Sequence, residues 1–270
     1  MNFVCFNGDI VVDQPLFSAH NRSFKYGDGI FETIKVYKEK ILLSSLHFER
    51  LFSSLQLLKI KHAFNEAYLS EKVIELCKKN DCSNLARVRV AVYREEDGNA
   101  GFVMEAVRLI DGTDSWNKKG LAIDLYPFAR KPKDAFANLK TANFLPYVLA
   151  SLYAKENNLD DSIVLNSDNH ICDSSKANIF LIKNGEIFTP ALHQGCVNGV
   201  VRRFLIDELK KLNYKVHQQE ISEDDLLNAD EVFLTNAIIG MHWVGFFRKK
   251  KYINNISSVI HGQLLSPMYQ

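Results

Sequence analysis

Two places in this chain of 270 residues carry side chains or backbone that could do chemistry. One is Asp173, which closes the apolar run Ile171-Cys172 and is followed by Ser174-Ser175. A carboxylate ending a strand that is apolar on both sides is a half-buried charge, and it needs a partner. An acid there also serves as an ordinary turn former. The other is Asn198-Gly199, which opens a helix whose Val201, Phe204, Leu205, Leu209 and Leu212 share one face. First-turn N–H groups lack intrahelical acceptors and sit at the positive end of the helix dipole. The site therefore suits an anion such as phosphate, although a glycine before a helix is also a common loop residue.

The elements that must position these groups can be read from periodicity. Short runs rich in Ile, Val, Leu and Phe, broken at Ser167-Asp168-Asn169 and at Asn184-Gly185, predict hairpins between Asp161 and Pro190. Nearer the start, Asn2 to Val12 reads as a hairpin turning at Asn7-Gly8-Asp9. Ser18 to Gly29 is turn-rich, and strands are expected over Ile30 to Tyr37 and Ile41 to Leu43. Leu46, Leu51, Leu55 and Leu58 recur at helical spacing in Ser45 to Lys59, with Ser45 as the expected N-cap. A second helix covers Asn65 to Lys79. Strict alternation at Ala86 to Tyr93 puts Val88, Val90 and Val92 on one strand face and Arg87 and Arg89 on the other. Further strands are expected at Phe102 to Leu109, Leu121 to Tyr126 and Glu231 to Thr235, a loop at Phe128 to Asn138, and a helix at Asn143 to Asn157. The polar stretch Asp111 to Lys119 reads as a linker. The expectation is an α/β (α+β) chain of two domains: a small one over 1–112, a linker over 113–119 and a larger one over 120–270. Ligand sites commonly fall between such domains.

Composition bounds the function. Hydrophobic content of 47% and charged content of 24% are globular values, and a net charge of +1 gives no electrostatic case for nucleic acid or an anionic membrane. No apolar run reaches membrane-spanning length, and the first residues lack the basic and apolar regions of a signal peptide. Five scattered cysteines argue for reduced thiols in a cytoplasm. Neither HExxH nor CxxC occurs, so no metal site is expected.

Several separated pieces fit one pattern. They are Gly27-Asp28-Gly29-Ile30-Phe31-Glu32-Thr33, His47-Phe48-Glu49-Arg50-Leu51, Lys140-Thr141-Ala142-Asn143, Asp173 to Phe180, Asn198 to Arg202, and Ala229 to Ala237. In this order the chain resembles the class IV aminotransferase family, the fold type IV enzymes that use pyridoxal 5'-phosphate. The family includes branched-chain aminotransferases, D-amino acid transaminases and aminodeoxychorismate lyases. The resemblance implies a larger C-terminal domain built on a pseudo-barrel sheet, a homodimer, and a set of roles for named residues. Lys140 matches the lysine that forms a Schiff base with the cofactor aldehyde. Asp173 matches the acid that pairs with the pyridine nitrogen, normally Glu. Arg50, with the backbone of Val200 and Val201 and the loop Thr235-Asn236-Ala237, matches the phosphate cup, with Val201 and Ala237 lacking the hydroxyls that many relatives have.

The resemblance leaves two reactions open. An aminodeoxychorismate lyase releases 4-aminobenzoate and pyruvate for folate synthesis; a transaminase passes its amine to 2-oxoglutarate. Phe31 stands where many transaminases have a Tyr that receives the substrate carboxylate, and Gln194 to Phe204 and Asn236-Ala237 are similar to lyase sequences. These lean towards the lyase. Arg89 and Arg94, with the loop Glu95 to Gly101, could instead serve amino acid carboxylates from the neighbouring subunit, which suits a transaminase. The Arg-x-His signature of D-amino acid transaminases is absent from that loop, and Phe144 replaces a Tyr of the branched-chain pattern.

Overall fold

Apolar alternation along short strands builds a first sheet, and the helices that follow cover one of its faces. The computed structural model describes residues 2–113 and 115–269 and divides into two units by contact. The first unit is Met1–Thr113 with Lys140–Asn143; the second is Asp114–Leu139 with Phe144–Gln270. Contact divides the chain between Thr113 and Asp114, within the stretch 113–119 expected as a linker. Asn117 brackets Trp243, giving Nδ2 to its carbonyl at 2.9 Å and taking its amide at 2.9 Å.

The first unit contains β1 (Phe3–Phe6), β2 (Asp9–Val12), α1 (Arg22–Tyr26), β3 (Gly29–Tyr37), β4 (Lys40–Ile41), α2 (Ser44–Leu57), α3 (Glu66–Lys79), β5 (Leu85–Arg94) and β6 (Ala100–Arg108). Its six strands are antiparallel in the order β2-β1-β6-β5-β3-β4. Ile34, Val36, Val88, Val90 and Val92 bury one face, packed with Phe48, Leu51 and Leu55 of α2 and Leu69, Val73 and Leu76 of α3. Period-two alternation sends Phe31, Arg89, Ala91 and Glu105 to the other face. The turn-rich segment before β3 holds the short helix α1, because Asn21 Oδ1 caps Phe24 N at 3.1 Å and Gly27 closes it at φ +65°. Ser45 is not the N-cap of α2. Leu43 holds that position in a left-handed conformation, and no side chain caps the helix.

The second unit contains β7 (Leu121–Lys131), α4 (Leu145–Glu156), β8 (Asp161–Asn166), β9 (Ile171–Ser174), β10 (Asn178–Lys183), β11 (Glu186–Pro190), α5 (Val200–Lys211), β12 (Val216–Gln219), α6 (Glu223–Leu227), β13 (Glu231–Asn236), β14 (Gly240–Phe247), β15 (Lys250–Lys251) and α7 (Asn255–Ile260). Its mixed sheet runs β12-β11-β10-β13-β14-β7-β8-β9, with β15 beside β14. The end strand β9 is joined to β10, third from the opposite edge, by the turn Ser175 to Ala177. So short a connection obliges the sheet to curl, and the pseudo-barrel follows.

Strand β7 runs further than the sequence suggests. Pro127 reads as a breaker, but it falls where the β7–β8 register slips between Leu125 and Arg130, and pairing then resumes with Lys131 opposite Asn166. The expected loop from Phe128 therefore begins as strand, and Lys131 is buried.

Candidate active site

The first unit presents an amine and a guanidinium on the sheet face that α2 and α3 leave uncovered. Segment Lys140–Asn143 adds itself to the end of β3: Phe31 N donates to Lys140 O at 2.9 Å and Ala142 N to Gly29 O at 2.8 Å. This fixes the lysine backbone, and its Nζ lies 4.5 Å from the centre of the Phe31 ring. Arg89, one strand away on β5, stacks its guanidinium on the same ring at 3.7 Å. Burial lowers the Arg89 pKa, while Glu105, opposite it in register on β6, pulls the other way. A cavity of about 500 Å³ opens here, walled by Phe17, Phe24, Phe31, Tyr93 and Ala91, with Asp13, Arg89 and Glu105 as its charged lining. One cation among aromatic walls is suited to a carboxylate joined to an apolar or ring-shaped body.

Arg50 belongs to α2 and meets Glu32 on the other face of β3. Its Nε donates to Glu32 Oε1 at 2.7 Å and its Nη2 to Glu32 Oε2 at 2.5 Å, while His47 Nδ1 meets Oε2 at 2.7 Å. Burial opposes ionisation of Glu32, but the charge of Arg50 and the hydrogen bond and charge of His47 outweigh it, leaving the carboxyl at about 2. The bidentate fork fixes the plane of the Arg50 guanidinium. Arg94 is committed to structure. It binds Asp28 Oδ2 at 3.0 Å, Lys59 O at 3.0 Å and Leu58 O at 2.8 Å, tying the end of α2 to β5. That is an anchor, and Arg94 is not among the cavity-lining residues.

The second unit presents the acid and the helix mouth. Asp173 lies within β9, one residue before its end, and is buried. Its Oδ2 accepts from Tyr147 Oη at 2.6 Å and Val197 N at 2.9 Å and lies 3.5 Å from Lys131 Nζ; its Oδ1 accepts from Asn178 Nδ2 at 2.8 Å. Burial pushes the Asp173 carboxyl up, and Lys131, Tyr147, Val197 and Asn178 pull it back. Burial, then the Asp173 charge, holds the Tyr147 phenol well above its ordinary value, so it stays a donor.

Asn178 links this acid to the helix. Its Nδ2 also donates to Val197 O at 2.8 Å, and a Cβ on Gly199 would lie 1.8 Å from its Oδ1. Helix α5 begins at Val200 behind Gly199 with no side-chain cap, and Val200 and Val201 are buried. Across the sheet, Thr235 pairs with Asn178 in register, and its buried hydroxyl has no hydrogen-bond partner among the described residues. Asn236 and Ala237 follow it. The Asn236 side chain closes its own turn, accepting from Ile238 N and Ile239 N at 2.9 Å each and donating to Lys176 O at 3.1 Å. An uncapped helix mouth, a glycine without a side chain, an orphaned hydroxyl and a buried acid tied to them by one amide fit a small anionic ring compound with a basic nitrogen. The residues thus fit pyridoxal phosphate.

Sequence reasoning placed Thr235 in the loop that closes the phosphate cup but did not single out Tyr147, Asn178 or Lys131. Asn178 stood inside a quoted motif, and Tyr147 lies one turn into a recognised helix. Lys131 carried no signal, because its strand appeared to stop at Pro127. Among the described residues no cluster of His, Cys, Asp and Glu could hold a metal ion, and no helix is long and apolar enough to cross a membrane.

These features define a fold type IV pyridoxal-phosphate enzyme. Residues 29–244 match the model of the family described as amino-transferase class IV. The chain is 30% identical over 264 residues to a "probable branched-chain-amino-acid aminotransferase" of Aquifex aeolicus, covering 88% of this chain and 81% of that one. It is 28% identical over 231 residues to an aminodeoxychorismate lyase of Vibrio harveyi, covering 82% and 83%. The structure of a branched-chain aminotransferase from Thermoproteus uzoniensis superimposes with a TM-score of 0.89 at 20% identity, over 99% of this chain and 95% of that one. The chain belongs to the class IV aminotransferase family.

Proposed function

We propose that this protein is a 4-amino-4-deoxychorismate lyase, converting its substrate to 4-aminobenzoate and pyruvate for folate synthesis. The observation that supports this most is the Phe31–Arg89 pair. A phenyl ring, unable to donate to a carboxylate, walls the cavity beside Lys140, and a single guanidinium lies flat on it at 3.7 Å. Aromatic Phe17, Phe24 and Tyr93 complete a chamber that accepts a ring.

Pyridoxal phosphate, when bound, supplies the electron sink for removing a proton next to the substrate amine. The chain's own groups do the rest. With the cofactor bound, Lys140 would be the amine that holds it at the aldehyde carbon and the group that carries the proton. Asp173 keeps a proton on the ring nitrogen. The Val200 and Val201 amides bind the phosphate, with Arg50, the Thr235 hydroxyl and the backbone of Asn236 and Ala237. Arg89 receives a substrate carboxylate. The aromatic walls exclude water while pyruvate leaves and the ring becomes aromatic.

A second reading, transfer of the amine from a branched-chain or other amino acid to 2-oxoglutarate, is favoured by Arg89, whose planar fork suits an α-carboxylate equally well. The Aquifex aeolicus relative supports it too. A homodimer is part of both readings, supported by the exposed apolar stripe on α4. Five cysteines, all buried as free thiols, support a reducing cytoplasm.

The test is direct. Purified protein should be yellow, and borohydride should fix the cofactor on Lys140, read by peptide mass. Incubation with aminodeoxychorismate should then yield 4-aminobenzoate and pyruvate. Glutamate formed from L-leucine and 2-oxoglutarate, with no 4-aminobenzoate from the first assay, would hand the function to the second reading.

A further inference from the structure

A buried cation stands beside Asp173 that the proposed reaction does not use. Lys131 Nζ is 3.5 Å from Asp173 Oδ2 and 5.1 Å from the centre of the Tyr147 ring, and both charged side chains are largely shielded from water, at 9% and 3% exposure. The contacts on the two carboxylate oxygens are unequal. Oδ2 already faces Tyr147, Val197 N and Lys131, whereas Oδ1 receives one donor, from Asn178. A carboxylate offers about two lone pairs on each oxygen, so the acceptor capacity left for a further donor is on Oδ1.

We propose that Lys131 is the resident counter-ion of Asp173, a positioning residue that balances the buried carboxylate when no cofactor is present and competes with the ring nitrogen when it is. The inference rests on the pyridoxal phosphate reading above. Without a cation, a carboxylate this deeply buried would take up a proton or open to water. Lys131 supplies the charge, and the Tyr147 and Val197 donors hold the carboxylate with Oδ1 presented. When a protonated ring nitrogen arrives, one carboxylate serves two cations, and these repel each other. Lys131 therefore stabilises the cofactor-free protein more than the loaded one. By linkage, a group that does so weakens cofactor binding by the same factor. The neighbouring thiols do not alter the balance. Burial pushes Cys196 up to about 12 and Cys172 higher still, so both are neutral near pH 7.

The experiment compares wild type with Lys131→Met and Lys131→Gln, each prepared as holoenzyme and stripped by hydroxylamine and dialysis. The pyridoxal phosphate dissociation constant and the melting temperatures of both forms are measured. Removing the charge should tighten binding by about a hundredfold, the scale of one like-charge repulsion across about 6 Å at an effective dielectric constant of about 20. The melting temperature of the stripped protein should fall while that of the holoenzyme barely moves. In an Asp173→Asn background the same substitution should leave affinity unchanged. Tyr147→Phe, which removes a neutral donor from the same oxygen, should not tighten binding.

Equal loss of stability in both forms with unchanged affinity would reduce Lys131 to a structural residue and overturn the proposal. So would weaker binding in both Lys131 variants. If one variant fails to fold, the other decides. Wild-type protein that takes up no pyridoxal phosphate fails at the first measurement; that result removes the cofactor reading and this inference with it.

Discussion

At the scale of residues, the Glu32–Arg50 pair shows a buried charge held by a fixed opposite. The Glu32 carboxyl sits at about 2 in the folded chain against an ordinary 4.5, so its ionised form stabilises the fold. The folded value is depressed, so this contribution is complete above pH 4.5 and disappears as pH falls towards 2. It amounts to something on the order of 3 kcal/mol. Glu32→Gln should cost about 3–5 kcal/mol at pH 7, because Arg50 is left buried without its carboxylate. In urea titrations the gap between wild type and variant should narrow markedly at pH 3; a gap independent of pH would show that the ion pair contributes nothing. Arg89, half-buried against the Phe31 ring, is a different case. Arg89→Met should raise KM by about ten- to a hundredfold, the worth of a lost charge-assisted hydrogen bond. Arg89→Lys should not restore it, because an ammonium cannot stack flat on Phe31 while offering a planar fork. Steady-state kinetics with the preferred substrate, read as separate KM and kcat, checks both.

At the scale of elements, the mouth of α5 depends on the absence of one methyl group. Gly199→Ala would push a carbon to 1.8 Å from Asn178 Oδ1, and Asn178 holds Asp173 through the other end of the same amide. The strain should cost about 1–3 kcal/mol of stability. It should weaken pyridoxal phosphate affinity by at least ~10-fold, since both ends of the cofactor site shift together. Equilibrium dialysis measures this, and an unchanged dissociation constant would uncouple the acid from the helix. The sequence showed this helix, its glycine and the acid, because amphipathic spacing and turn residues are local signals. It showed the alternation of β5 and both Asn-Gly hairpins for the same reason. It could not show that Asn178 ties Asp173 to Gly199, because that contact depends on the register of β9, α5 and β10, which no single stretch encodes. Lys131 was hidden by a bulge that lets a strand run past a proline. Lys140–Asn143 pairs with β3, more than a hundred residues earlier, through contacts too few to leave a period.

At the scale of the whole molecule, α4 carries the surface that supports the proposed homodimer. One face, with Tyr147, Ala150 and Ala154, is buried, and Ser162 Oγ on β8 donates to Ala150 O at 2.6 Å. The opposite face carries Leu145, Val148, Leu149 and Leu152, which are 63%, 49%, 40% and 49% exposed. Single exposed leucines are normal, but four at spacings of three and four make a continuous stripe. A helix that is apolar on both faces is built to be covered on both. In the proposed homodimer the partner covers this one. Val148→Glu combined with Leu152→Glu should leave the folded monomer intact, because neither side chain is buried within it, and should abolish association, because two carboxylates would have to lose their water in the interface. Light scattering should report about twice the 30.8 kDa chain mass for wild type and the single-chain mass for the variant, with matching far-ultraviolet circular dichroism. Wild-type protein that remains a 30.8 kDa monomer at micromolar concentration would refute the assignment of this stripe to a second copy.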